Sequence, residues 1–148
     1  MPQNPLPALF TNTFGAGCAV YFAADIDRCF ARDGLPDHAR LIENAVRWVS
    51  NGQIPLKVRG AGLLDCRLYR QGGRAVLHIV NNQQGAPPPV HELVGCGPFQ
   101  IRVRFEAKKA RALVGNQAIQ TRHNGEWCEF EIASVLDHEV IVLEANNP

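Results

Sequence analysis

Two aspartates, Asp25 and Asp27, stand at the end of an apolar run. A glycosidase needs two carboxyl groups held roughly 5 to 10 Å apart across the sugar, and loops that follow strands carry functional groups in α/β folds. In an extended chain, however, side chains two residues apart lie on one face, and such aspartates usually form turns or caps. A small hydrolase centred on Asp25 and Asp27 is therefore kept only as a third interpretation.

Three residue types of a hydrolytic triad occur together at Ser134, Asp137 and His138. A triad is built from a nucleophile on its own sharp turn and partners aligned in space, whereas these three are close neighbours leading into a strand. We therefore predict no catalytic residue in this chain.

Ligands for metals and cofactors are sparse. His78 and His91 have no second His or Cys at zinc-ligand spacing, so a hydrogen-bonded role is favoured for both. Gly15 and Gly17 precede a strand rather than a helix, so they form no phosphate loop. We predict neither a metal nor a cofactor.

Sugar binding by a β-sandwich needs exposed aromatic rings that stack on the sugar. Trp127 is out of phase with the apolar Cys128 and Phe130, which places it on an outer face, and Tyr69 is similarly placed beside Arg67. A carbohydrate-binding module that uses Trp127 and Tyr69 is the second interpretation, set against rings that merely cover a sheet edge or the preceding helix.

Charge and hydropathy exclude several classes of partner. The 15 basic and 14 acidic side chains nearly cancel and are scattered, which argues against nucleic acid. No run approaches the roughly 20 apolar residues of a membrane span, and the first ten residues lack the pattern of a secretory signal. The expected location is cytoplasmic, with no membrane partner.

The five cysteines are odd in number and include no C-x-x-C pair. This pattern argues against a disulfide framework and against a zinc site. Cys66 and Cys128 alternate in phase with Leu and Phe, which predicts reduced thiols in the core.

For the first third of the chain, the residue pattern predicts an extended arm, a strand and a helix. Three prolines in the first ten residues indicate the arm, and the run at residues 18–24, apolar on both faces, is typical of a buried strand such as parallel sheets contain. After a polar connection, Pro36 and Asp37 open an amphipathic helix over residues 36–51, with Gly52 as its stop.

Beyond Gly52 the hydrophobic period changes from 3.6 to 2. About eight runs alternate in this way, separated by turn signals such as QGG at residues 71–73 and HNGE at residues 123–126. The fold class is therefore mainly β: an antiparallel two-sheet β-sandwich preceded by a strand and helix. We divide the chain into residues 1–52 and residues 53–148, with the sandwich itself at about residues 54–143.

One strand and one helix cannot bury their apolar faces alone. They must pack on the sandwich or on another chain, so we predict a homo-oligomer. The expected contact lies near residues 18–24 and 41–49, and its candidate residues are Val20, Phe22, Leu41, Ala45 and Trp48.

Residues 10–48 resemble the end of the flavodoxin-like, β-galactosidase trimerisation-type domain found in microbial glycoside hydrolases. That family shows N-x-F-G-x-G, a strand ending Y-F-x-x-D-I-D, and a helix P-x-H-x-x-L-x-x-N-A-x-R-W. The matching residues here are Asn12, Phe14, Gly15, Gly17, Tyr21, Phe22, Asp25, Ile26, Asp27, Pro36, His38, Leu41, Asn44, Ala45, Arg47 and Trp48.

The rest of the chain is similar to the C-terminal β-sandwich that follows that domain in the same hydrolases. The pattern comprises a strand ending H-x-V-N, a Pro-rich loop and a last strand H-E-V-V-V. It is met by His78, Val80, Asn81, His138, Glu139, Val140 and Val142.

The resemblance implies a part that lacks the catalytic centre. In those hydrolases the carboxylates lie on a preceding barrel, and a barrel needs about 250 residues. The chain of 148 residues cannot contain one. The expected function is a non-catalytic accessory or assembly module.

Overall fold

Apolar and polar residues alternate along most of the chain, and the computed structural model shows why: strands dominate the described residues, 6–82 and 92–145. The chain divides into two units, Met1–Ile54 and Pro55–Pro148. Among the described residues, neither of the two helices has the length and apolar character needed to cross a membrane.

The N-terminal unit contains two strands and two helices. These are β1 (Leu9–Phe14), β2 (Gly17–Phe22), α1 (Ile26–Asp33) and α2 (Pro36–Val49). β1 and β2 pair antiparallel from Leu9 opposite Phe22 to Phe14 opposite Gly17. Gly15 has φ +58° at the tight turn between them, a conformation that glycine adopts without steric cost.

Three details of this unit differ from the sequence prediction. Residues 18–24 are not a buried strand of the parallel type: β2 pairs antiparallel with β1, and no residue of either strand is buried. The predicted N-terminal arm contributes Leu9 and Phe10 to β1, while residues 1–5 lie outside the described part. The polar connection is α1, an eight-residue helix closed by Gly34 at φ +63°.

The amphipathic helix is confirmed as α2, which ends at Val49, two residues before the predicted end. Pro36 occupies its first turn with Asp37, and Arg47 lies in its last turn. Arg47 Nε donates a hydrogen bond to Glu43 Oε1 at 2.9 Å. The acidic residue precedes the basic one by four positions, which is the order that stabilises a helix more. Neither α1 nor α2 has a buried residue.

The second unit is the predicted antiparallel sandwich. Its strands are β3 (Leu56–Arg59), β4 (Leu64–Gln71), β5 (Arg74–Asn81), β6 (Phe99–Arg104), β7 (Lys109–Ala112), β8 (Gln117–Ile119), β9 (Arg122–Asn124), β10 (Trp127–Ile132) and β11 (His138–Glu144). One sheet has the order β3-β6-β10-β9 and the other β4-β5-β11-β7-β8. The three-residue β9 is additional to the eight predicted strands.

The core lies between the two sheets and follows the predicted period of two. Alternate residues of β5, β6, β10 and β11 point inward, and the largest of them that are almost completely buried are Phe99, Leu77, Ile79, Ile101, Ile141, Leu143, Val103 and Cys128. Val135, between β10 and β11, joins the same core. Burying each large aliphatic or aromatic side chain contributes about 1.5 to 3 kcal/mol. The sandwich therefore has a core of its own.

Candidate functional site

Asp25 and Asp27 lie at the start of α1. Asp25 occupies the N-cap position and forms an ion pair with Arg28 at 2.6 Å, and Asp27 lies in the first turn. Carboxylates at this end of a helix interact favourably with its dipole. Both side chains are exposed, so their arrangement is that of a local helix start.

Ser134, Asp137 and His138 do not form a triad in the described structure. His138 Nδ1 lies 3.2 Å from Asp137 Oδ2, and both side chains are exposed. Among the described residues, Ser134 makes no side-chain hydrogen bond to His138. The nucleophile–base contact that such chemistry needs is therefore missing from this arrangement.

The histidines and glycines considered as ligand sites have local roles. The exposed His78 ring packs edge-on against Tyr69, with ring centroids 5.7 Å apart, whereas His91 lies outside the described residues. Gly15 and Gly17 form the β1–β2 turn. Residues 6–82 and 92–145 contain no group of three or more His, Cys, Asp or Glu side chains placed to hold a metal ion.

Trp127 and Tyr69 lie on the outer faces of opposite sheets. Trp127 is in β10 of the four-stranded sheet, opposite Arg104, and Tyr69 is in β4 of the five-stranded sheet, opposite Val76. The predicted outward phase of Trp127 is confirmed by this register. The core separates the two rings, so they cannot belong to one sugar site.

The Trp127 ring is covered by cations, which the sequence did not reveal. Lys57 Nζ lies 4.8 Å from the ring centroid, and the guanidinium carbons of Arg102 and Arg104 lie 5.1 and 4.9 Å from it. Only 9% of Trp127 is exposed. A sugar could stack on this ring only after displacing a cation, whereas Tyr69 is 54% exposed.

The candidate contact residues of the N-terminal unit mostly come together. A shallow cavity of about 210 Å³ lies between the hairpin and α2 and is lined by Val20, Leu41, Ala45 and Trp48. Phe22, the fifth candidate, is half-buried opposite Leu9 in the hairpin. We call this group the hairpin–helix surface.

The thiols divide between the two units. Cys96 and Cys128 are buried, Cys66 and Cys29 are half-buried, and Cys18 is exposed on the hairpin. Burial raises the pKa of the Cys66 thiol to about 11, helped by the neighbouring Asp65 carboxylate, and burial also raises the pKa of Cys96 and Cys128. These three thiols are protonated at neutral pH and are poor nucleophiles.

Sequence reasoning missed the roles of two buried polar residues. The Asn81 amide donates to the carbonyls of Val94, Val135 and Leu136 at 2.8, 3.1 and 2.9 Å. The Glu139 carboxylate accepts the backbone N–H groups of Val114 and Gly115, both at 2.9 Å. In the sequence, both appear as polar residues at positions of β5 and β11 that the alternation turns inward. Their hydrogen-bond partners, however, can be identified only from the fold.

No protein-family model matches this sequence, and no curated protein matches it. Among solved structures, the fold is similar to part of an alpha-L-fucosidase, isoenzyme 2 from Paenibacillus thiaminolyticus. The TM-score is 0.71 and the sequence identity 16%. The likeness shows the fold alone. It covers 86% of this chain, and the chain spans about a fifth of the fucosidase, 21% of its length.

Proposed function

We propose that this chain is a non-catalytic accessory module of the glycoside hydrolase type, in which the N-terminal unit joins protomers together. The structural similarity to part of an alpha-L-fucosidase supports the first half of this proposal. The match covers 86% of this chain, which is a larger share than the sandwich, residues 55–148, could account for alone. A piece of comparable extent therefore exists within a much larger enzyme.

The observation that carries the assembly role is the absence of any buried residue from the described part of the N-terminal unit, residues 6–54. Eleven of the nineteen exposed large hydrophobic side chains in the described residues belong to it, including Phe14, which is 88% exposed. Monomeric proteins rarely leave such apolar area in water. The unit therefore needs a covering surface.

The hairpin also offers backbone groups for pairing. β1 and β2 pair only with each other among the described residues, so the outer edge of each strand has free N–H and C=O groups. Neither strand contains a charged residue or a proline to block the addition of another strand. A second copy of this hairpin is a suitable partner, because a two-fold axis brings identical edges together.

Light scattering coupled to size exclusion tests this proposal on the full chain. We expect a discrete oligomer at micromolar concentration. Leu41→Glu places a carboxylate on the hairpin–helix surface and should raise the dissociation constant at least about tenfold, or about 1.4 kcal/mol. The matched control is Leu113→Glu in the sandwich, because Leu113 is exposed to a similar extent, 50% against 45% for Leu41.

Two results would count against assembly through this surface. One is a wild-type chain that stays monomeric at all concentrations tested. The other is dissociation of the oligomer by Leu113→Glu to the same extent as by Leu41→Glu, since that would place the contact on the sandwich.

The non-catalytic half of the proposal has a separate test. We expect the chain to release no nitrophenol from aryl fucosides or aryl galactosides, because its carboxylate pair, Asp25 and Asp27, lies exposed at a helix start rather than in a pocket. Turnover that disappears in Asp27→Asn but persists in Asp33→Asn, a second exposed aspartate of α1, would overturn this expectation.

A further inference from the structure

The outer face of the four-stranded sheet is rich in unmatched positive charge. Its register puts Lys57 opposite Arg102, Arg102 opposite Glu129, and Glu129 opposite Arg122. Directly opposite residues share a face of a sheet. One row across all four strands thus carries three cations and a single carboxylate.

The flanking rows continue this composition. On one side Arg59 is opposite Gln100, which is opposite Glu131. On the other side Arg104 is opposite Trp127, which is opposite Asn124. These rows therefore present five basic side chains, two acidic ones and two amides, although the whole chain is nearly neutral.

Only some of these cations are neutralised. Arg102 forms an ion pair with Glu129, with 2.8 Å between Arg102 Nε and Glu129 Oε1. The Nε–H group does not point at this oxygen, so the pair is not a hydrogen bond through Nε. Arg104 pairs with Glu126 in the β9–β10 turn, at 3.1 Å. Lys57, Arg59 and Arg122 have no carboxylate partner among residues 6–82 and 92–145.

The same face contains a cavity of about 510 Å³, which is within the range of about 300 to 1,000 Å³ for small-ligand sites. Its polar lining includes Arg59, Gln100, Arg102, Gln120, Arg122 and Glu131. Arg59 and Arg122 belong to the two edge strands, β3 and β9. The axes of these strands are about 14 Å apart, because three strand spacings of about 4.8 Å separate them. The cavity is therefore bordered on each side by an arginine that has no carboxylate partner in the described part of the chain.

We propose that this cavity binds an acidic oligosaccharide, whose carboxylate or sulfate groups pair with Arg59, Arg122 and Lys57. The sugar hydroxyls would hydrogen-bond to the amides of Gln100 and Gln120 and donate to Glu131. A mixed set of cations, amides and carboxylates suits a ligand that carries both acid groups and hydroxyls. The covered Trp127 ring plays no stacking role in this site.

The same composition disfavours nucleic acid. Glu129 and Glu131 lie in the cavity lining and would repel a continuous phosphate backbone. With Trp127 covered by three cations, this face also lacks a free aromatic ring on which a base could stack. An acidic oligosaccharide carries isolated acid groups, which can lie away from Glu129 and Glu131, and it needs no aromatic ring for stacking.

Calorimetric titration of the full chain with trigalacturonate, at low ionic strength, tests the proposal. We expect saturable binding that weakens as salt is added, and no binding of neutral galactotriose at the same concentration. Arg59→Gln with Arg122→Gln should weaken binding at least about tenfold, or about 1.4 kcal/mol. The matched control, Lys108→Gln with Lys109→Gln, removes two exposed charges at the start of β7, in the other sheet, and should change the affinity less than about twofold.

Four results would overturn the proposal. They are no heat at millimolar trigalacturonate, equal binding of galactotriose, equal binding of inorganic sulfate or a short oligothymidylate, and equal weakening by the lysine control. The site lies in the sandwich and does not depend on self-association. Failure here would leave the oligomer result unchanged, and the reverse also holds.

Discussion

At the scale of single residues, the sandwich depends on two polar side chains that are almost fully buried. Asn81 and Glu139 are 6% and 8% exposed, and each satisfies backbone groups of loops far away in sequence. Buried polar groups without partners are costly. Both residues fall in the strand patterns that suggested a glycoside hydrolase sandwich, and the structure supplies a physical reason for their presence there.

Replacing Asn81 with alanine should destabilise the sandwich by about 2 to 3 kcal/mol, because the carbonyls of Val94, Val135 and Leu136 would lose a shared donor inside the protein. Urea unfolding measures the change. The neighbouring exposed Asn82→Ala is the control and should stay within about 0.5 kcal/mol. Equal midpoints for the two variants would show that the amide is dispensable.

At the scale of elements, sequence periodicity succeeded where one strand face meets a core. The runs around Leu77, Ile101 and Phe130 alternate cleanly because their inward residues are buried between the sheets. It was less successful in the N-terminal unit, where no described residue is fully buried. There it predicted the amphipathic helix α2, but it missed the antiparallel pairing of β2 and the short helix α1.

The candidate sites show the same limit at this scale. Alternation placed Trp127 on the outer face correctly, but its cover comes from Lys57, Arg102 and Arg104 on two other strands. Likewise, the basic face arises because β3, β6 and β9, distant in sequence, become neighbours or near-neighbours in one sheet. Composition averaged over the chain hides such a patch.

At the scale of the whole molecule, the two units differ in burial. Every buried residue in the described part of the chain lies in Pro55–Pro148, and none lies between residues 6 and 54. The antiparallel sandwich forecast from the sequence is therefore the part with its own hydrophobic driving force. The N-terminal unit obeys local rules of turn and helix formation without a core to fix it.

This asymmetry predicts different behaviour for the two separated units. A fragment of residues 55–148 should unfold cooperatively in urea, reported by Trp127 fluorescence, because its core is intact. A fragment of residues 1–54, reported by Trp48, should change gradually in dilute solution, because it has no core to lose. A sharp transition in the short fragment at low concentration, or none in the long one, would contradict the expectation.

The chemistry of the strand edges extends to how the protein behaves when crowded. In the sandwich, three of the four edge strands, β3, β4 and β9, carry charges such as Lys57, Arg67 and Arg122, which hinder the addition of foreign strands, and the fourth, β8, is only three residues long. The hairpin strands LFTNTF and GCAVYF are six-residue segments without charge or proline, the composition that favours cross-β stacking. An uncovered hairpin is thus the place where fibrils or amorphous aggregates would nucleate.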